Sequence, residues 1–349
     1  MDSHGGVDAA RRVGFVDSMA ENQMSEKNIA SLSLDLDNKW SYMKTHGDAG
    51  WEGFPSYLDT VVPRTLQFLK ERNLKITFFI VGQDAALEEN REALVQISAA
   101  NHEIGNHSFN HEPWLHLYSK TELETEFEKT EEAIARITNQ KLVGFRGPGY
   151  SLSSTVLEVL AERDYEYDCS TLPTYIAPLA RAYYFFKSPE MSDEEREKRK
   201  KLFGKFADGF QSLKPYKWQI GEKSLVEIPV TTLPVFKTPI HASYVIYLST
   251  FSKSLARTYW KTAVEMCRMS GTQLSLLLHP LDFLSGEDAP ELKFFPAMNL
   301  PIEKKLEFVS EILETLGEKF EIVNMRRHAD SARRENTATR KYAEISAEI

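Results

Sequence analysis

Cysteine is scarce: two residues in 349, Cys169 and Cys267. That number cannot build a disulfide framework, and both are read as reduced and structural. Long apolar runs are missing too, since none approaches the roughly 20 residues that a membrane span needs. Positive charge is in deficit, 42 Lys and Arg against 51 Asp and Glu for a net charge of −9. No Lys/Arg stripe is interleaved with aromatics, which argues against a nucleic-acid partner. The first 28 residues are polar and Gly/Ser/Asp-rich, without the apolar core of a signal peptide. They read as a disordered leader (1–28), and a cytoplasmic protein is the expectation. Repeats and low-complexity segments are absent as well. What is left, 42% hydrophobic and 27% charged residues, is the composition of a globular chain. Its length suffices for one large α/β domain or two ordinary ones.

Short continuous apolar runs alternate with amphipathic stretches, the pattern of buried parallel strands joined by crossover helices. Strands are expected at Ile29–Asp37, Ile76–Gly82, His102–Gly105, Leu142–Arg146, Tyr165–Cys169, Leu225–Thr231, Gln273–His279 and Glu321–Met325. Helices are expected near 58–72, 90–100, 121–138, 153–163, 252–269 and 302–316. The third of these carries an N-cap signal, Ser119 with Glu122 three residues on. Seven or eight strands alternating with helices predict a barrel-like α/β fold over 29–330, with a polar tail at 331–349.

Two stretches break the alternation. Residues 38–56 read as a long loop carrying Trp40, Tyr42, Trp51 and Phe54 among glycines. Residues 176–223 read as an insertion holding the charge run Ser192–Lys201. That run is expected to be a solvated surface helix, with a lid or a homo-oligomer contact as the alternatives.

Ionisable groups sit at the ends of these strands. Asp35 and Asp37 end the first, His107 follows the third, Arg146 ends the fourth, Asp168 the fifth, and His279 a late one. In a βα barrel such ends converge on one rim. His107 and His111 are four residues apart, a spacing that suits a shared metal. A catalytic zinc needs three protein ligands and an open position, and Asp37 supplies the third. Asp35, two residues away on the same strand, points to the same face and can act on water. Arg146 can pair with Asp35, and His279 remains as a general acid. The remaining histidines, His46, His102, His116, His241 and His328, are read as hydrogen-bonded structural residues.

These motifs together resemble the polysaccharide deacetylase family (NodB-homology, carbohydrate esterase family 4). The resemblance runs from about Ile29 to His279. His107-Ser-Phe-Asn-His111 matches the family's histidine motif, Arg146-Gly-Pro148 its Arg-x-Pro motif, and Leu277-Leu-His279 its Leu-x-His motif. Thr77–Gly82 looks like its second strand. Ser33-Leu-Asp35-Leu-Asp37 matches the first motif loosely. The intervening Leu36 is similar to a divergent Asp-x-Asp branch with peptidoglycan-deacetylase-like and allantoinase-like members. A second carboxylate often found in the family is replaced by Thr171, so Asp168 is the candidate to orient His279.

The resemblance implies a distorted (β/α)7–8 barrel, single-domain apart from the insertion. It implies one divalent metal on Asp37, His107 and His111, with Zn²⁺ expected and Co²⁺, Ni²⁺, Mn²⁺ or Fe²⁺ as alternatives. Asp35 would be the base and His279 the acid, a backbone amide at Gly149 or Tyr150 would stabilise the oxyanion, and Leu277 would line the acyl pocket. Trp40, with Trp114 further on, would offer a sugar-stacking face. The implied reaction removes an N-acyl group, in the simplest case acetyl, from an amino sugar of a glycan or glycoconjugate. Left open are an allantoinase-like hydrolase of a non-sugar amide, a deformylase acting on an N-formyl sugar, and a non-catalytic carbohydrate-binding relative.

Overall fold

The computed structural model describes residues 28–176, 209–335 and 337–341. The charge run Ser192–Lys201 and nearly all of the leader lie outside the described residues.

The elements follow the expected alternation. Strand β1 (Ile29–Leu36) leads into helices α1 (Lys39–His46) and α2 (Leu58–Glu71). Strand β2 (Thr77–Ile80) precedes α3 (Gly82–Ala86) and α4 (Arg91–Ala99). Next come β3 (Glu103–Asn106), α5 (Lys120–Ala135), β4 (Gly144–Phe145), α6 (Ser154–Glu162) and β5 (Tyr167–Asp168). A hairpin of β6 (Tyr216–Ile220) and β7 (Lys223–Glu227) follows, then α7 (Ala242–Phe251) and α8 (Lys253–Met269). The last elements are β8 (Leu274–Leu278), α9 (Ile302–Lys319), β9 (Glu321–Val323), α10 (Met325–Arg334) and β10 (Thr339–Lys341).

Several ends are set by local chemistry. The Ser119 side chain accepts from the Glu122 N–H while the Glu122 carboxylate accepts from the Ser119 N–H at 2.8 Å, a reciprocal cap for α5. Helix α1 ends on Gly47 at φ +94°, a left-handed position that glycine adopts without strain.

The sheet runs in the order β10-β6-β7-β5-β4-β3-β2-β1-β8, with β9 also beside β1. Its pairings are parallel except for the β6–β7 hairpin. This is a curled α/β sheet of the expected class, but its ladder does not close. Between β7 and β8 the chain just past β7 makes the seam: the Thr231 N–H donates to the Ser275 carbonyl at 3.2 Å, and the Ser275 N–H donates to Thr231 Oγ1 at 2.7 Å.

Alternation along β1 sorts the layers. Ala30, Leu32, Leu34 and Leu36 enter the core beneath the helices, while Ser31, Ser33 and Asp35 turn to the inside of the curl. Inside, Phe79, Tyr167 and Val226 pack with Met325, Ala329 and Ala332 of α10. Helix α10 crosses the starts of the strands. The Met325 N–H donates to Thr77 Oγ1, the Arg326 N–H to the Glu103 carboxylate, and His328 pairs with Ser31 at 2.7 Å. It therefore stops the N-terminal end of the curl, opposite the strand ends that carry Asp37, His107 and Arg146.

Some elements differ from the sequence expectation. The loop 38–56 contains helix α1 and a 3₁₀ turn at Trp51–Gly53. Strand β6 falls within the expected insertion 176–223 and belongs to the sheet. Helix α7 lacks a clean amphipathic period, so no helical signal announced it. The segment expected as a polar tail contributes the end of α10, including buried Ala332, and β10, which pairs with β6. Among the described residues no helix is long and apolar enough to cross a membrane.

Candidate active site and metal centre

The rim gathers the strand-end groups. Asp37 follows β1, His107 follows β3, and His111 lies four residues on at φ +50°. Asp37 Oδ1 is 3.2 Å from His107 Nε2 and 3.0 Å from His111 Nε2. One ligand atom from each of the three residues lies within 4.8 Å of the others.

The hydrogen bonds decide whether this trio fits a cation. His107 Nδ1 donates to the Arg146 carbonyl at 2.7 Å. With that nitrogen protonated, the neutral ring turns the Nε2 lone pair toward a carboxylate oxygen. Two electron-rich atoms facing each other at 3.2 Å repel unless a positive charge lies between them. Without a metal that charge is a proton, and His107 holds one more tightly than usual. Burial opposes its charge, but Asp35, Asp37 and the Arg146 carbonyl prevail. Burial would likewise raise the Asp37 carboxyl, yet the imidazoles of His111 and His107 hold it well below the usual carboxylate range. Two neutral nitrogens and one ionised carboxylate are the donor set of a borderline-soft divalent ion.

Beside the trio lies a second pair. The Arg146 guanidinium is fully buried and meets Asp35 at 2.8 Å, with Ser33 Oγ at 2.9 Å and the Cys169 carbonyl at 3.2 Å. Phe79 covers it from 4.6 Å. Arg146 therefore fixes Asp35 with its side chain and the ring of His107 with its backbone.

His279 follows β8, the strand paired with β1. Its Nδ1 lies 3.2 Å from Ser243 Oγ, and its backbone N–H donates to Asp282 Oδ2 at 2.9 Å. Ser243 in turn hydrogen-bonds the Asp282 carboxyl, which burial raises against the favourable pull of His279. Leu277 is fully buried in β8, on the face opposite Leu276 and Leu278, in register with Ser33 inside the curl.

Residues 47–167 match the family model described as polysaccharide deacetylase, a stretch holding His107, His111 and Arg146. The matched stretch is about a third of the chain, and over it the chain is similar to the polysaccharide deacetylase family. It is 25% identical over 162 residues to the peptidoglycan deacetylase of Helicobacter pylori, covering 44% of this chain and 53% of that one. It is 30% identical over 103 residues to the peptidoglycan-N-acetylglucosamine deacetylase of Bacillus cereus, covering 30% of this chain and 36% of that one. The chain thus spans about half or less of these curated relatives. In fold it is similar to a Mycobacterium smegmatis protein assigned as a polysaccharide deacetylase. That structure superposes with a TM-score of 0.60 at 19% identity over 91% of this chain and 95% of the other.

Within this site, three expected residues sit differently from the sequence reading. Trp40 is 1% exposed, and its indole N–H donates to Asp84 Oδ1 at 2.9 Å. A ring so enclosed gives no face to a sugar. It closes a buried network in which Asn38 also donates to Asp84, whose carboxyl burial raises to about 7. Asp168 is fully buried in register with Phe145 and Glu227, on the helix-facing side of the sheet. Its carboxylate accepts from Ser170 Oγ and hydrogen-bonds Glu227, and the groups held near His279 are Ser243 and Asp282 instead. The Tyr150 N–H is spent on the Gly147 carbonyl at 2.9 Å, which leaves the exposed Gly149, at φ +60°, as the remaining candidate of the two.

Sequence reasoning missed Ser243, Asp282 and Glu227, and read His241 as a hydrogen-bonded structural residue, although its Nδ1 has no partner. Asp282 had a weak signal, three residues after the Leu-Leu-His end of β8. Glu227 had one in its place at the end of an expected strand. Ser243 and His241 had none, because they follow an aperiodic hairpin.

Proposed function

We propose that this protein is a metal-dependent amide hydrolase that frees the amine of an N-acylated amino sugar, in the simplest case an N-acetyl group of a glycan or glycoconjugate. The observation that carries the reading is the convergence on one rim of the Asp37–His107–His111 trio, the Arg146–Asp35 pair and His279. The peptidoglycan substrates named for the two curated relatives support a sugar.

A divalent metal on Asp37, His107 and His111, Zn²⁺ by the donor set, would supply the Lewis acidity that makes water a nucleophile near neutral pH and polarises the acyl carbonyl. Asp35 takes the proton that the attacking water loses. Arg146 keeps that carboxylate from turning away, since its own guanidinium is walled in by Ser33, Cys169 and Phe79. The Gly149 amide faces the charge that develops on the acyl oxygen. His279 gives a proton to the departing nitrogen as the C–N bond breaks, its ring steadied by Ser243. Leu277 walls the acyl methyl. Water supplies one oxygen to the acid, and the amine leaves neutral.

The test is a release assay for acetate and formate over chito-oligosaccharides, N-acylated monosaccharides and nucleotide sugars, with Zn²⁺ or Co²⁺ added. Release from at least one class is expected. Metal-loaded protein that frees neither acid from any of them overturns the reading.

A further inference from the structure

His46, His102, His116 and His328 each have a hydrogen-bonded ring nitrogen, as expected of structural histidines. His241 does not fit that description. It is 7% exposed, yet its Nδ1 has no hydrogen-bond partner. Leaving such a group unpaired costs about 1–3 kcal/mol, so it calls for a ligand.

Its position says where that ligand lies. Past β7 the chain makes a hairpin in which the Leu233 N–H donates to the Thr238 carbonyl at 2.8 Å and Thr232 bridges Pro239. The return arm delivers His241 to the start of α7. There its ring centre is 5.9 Å from that of His279 and 4.3 Å, edge-on, from that of the part-exposed Tyr244. Ser243, two residues on, meets His279. The unpaired Nδ1 therefore belongs to a ring that flanks the candidate general acid, His279, at the start of the helix that also carries Ser243.

We propose that His241, Tyr244 and His279 wall a subsite for an uncharged hydroxyl of the sugar ring that bears the acylamino group, with His241 Nδ1 as its hydrogen-bond partner. The assignment rests on the deacetylase reading for the identity of the acylamino group. The chemistry of the ring selects the ligand. Burial, with His279 and Arg146 nearby, pushes the His241 pKa well below its ordinary value, so the ring is neutral. A neutral ring offers one donor and one acceptor nitrogen, and a hydroxyl satisfies either. A phosphate or carboxylate would call for the protonated ring that these surroundings oppose. Tyr244 completes the wall with an aromatic face against which C–H groups of a pyranose pack.

Binding tests this without turnover. With zinc-supplemented protein, calorimetry compares N-acetylglucosamine with N-acetylcyclohexylamine, which keeps the amide and ring but lacks the hydroxyls. Wild type should favour the sugar by at least about tenfold, the worth of roughly 1.4 kcal/mol. His241→Leu should lose that preference, and His241→Asn, which keeps a polar atom near the place of Nδ1, should retain most of it. A wild type that does not distinguish the two ligands overturns the proposal, whether or not the variants fold. So does a His241→Leu protein that keeps the full preference, or loss of bound zinc in both variants, which would make the residue structural. A wild type that prefers the sugar but releases neither acetate nor formate leaves the subsite standing and removes the deacetylase reading.

Discussion

The backbone carbonyl of Arg146 accepts a hydrogen bond from His107 Nδ1 at 2.7 Å. The same residue's side chain meets Asp35 at 2.8 Å. One residue at the end of β4 thus sets the tautomer of a candidate metal ligand and the position of the candidate base. Hydrogen bonds of this kind orient ligating imidazoles and strengthen them as donors.

Metal content tests the trio directly. Wild-type protein purified with Zn²⁺ should hold about one ion per chain, and His111→Ala should lose most of it, because two donors rarely hold a structural or catalytic zinc. Elemental analysis after dialysis measures both. Full occupancy in His111→Ala would remove that residue from the ligand set.

Replacing the candidate base should separate binding from turnover. Asp35→Asn keeps a polar group beside Arg146 and should retain metal, while kcat falls by roughly 10²–10⁴. An Asp35→Asn enzyme of near-normal activity would assign the proton transfer to another group.

The hold on the candidate acid, His279, should be weaker in effect. Ser243 Oγ lies 3.2 Å from His279 Nδ1, so Ser243→Ala should lower kcat about tenfold and leave KM and metal content nearly unchanged. A change in KM alone would make Ser243 a substrate contact instead.

Trp40→Phe removes the indole donor to Asp84 and should destabilise the fold by about 1–3 kcal/mol without altering KM for a glycan. Urea unfolding and steady-state kinetics read the two effects apart. A raised KM with unchanged stability would restore Trp40 to the substrate face.

His328 gives a pH signature. Burial lowers its pKa from 6.5 to about 3. Below pH 6.5 the unfolded chain binds a proton there that the folded chain does not. The stability contributed by the neutral ring is therefore complete above pH 6.5 and is lost as pH falls toward 3, by about 1.4 kcal/mol per unit. The difference in unfolding free energy between wild type and His328→Gln should follow that slope between pH 6 and 4. A pH-independent difference would mean that His328 takes up a proton when folded.

The legible parts of this molecule are those written in local periodicity. Strand ends were readable because buried parallel strands are continuous apolar runs, and the groups that end them, Asp37, His107, Arg146 and His279, lie on one rim by topology alone. Face was harder to read than position. Asp168 sits in a strand of two residues, too short to reveal its parity, and the register with Phe145 and Glu227 turns it outward. Trp40 was misread because its burial depends on Asp84, a partner 44 residues away that no local pattern indicates. Ser243 was invisible, and His241 was read as a structural residue, for a related reason. They reach His279 through a hairpin without a period and a helix hydrophobic on most of its faces.

Helix α10 stops the far end of the barrel with Met325, Ala329 and Ala332. That end of the curl is barred to anything bound inside it. If the proposed cleavage takes place there, its two products depart away from α10, in the order of their depth. If Leu277 holds the acyl fragment, that fragment lies beneath the sugar and goes second. Added carboxylic acid should then inhibit by occupying the emptied floor, competing with the next substrate to arrive.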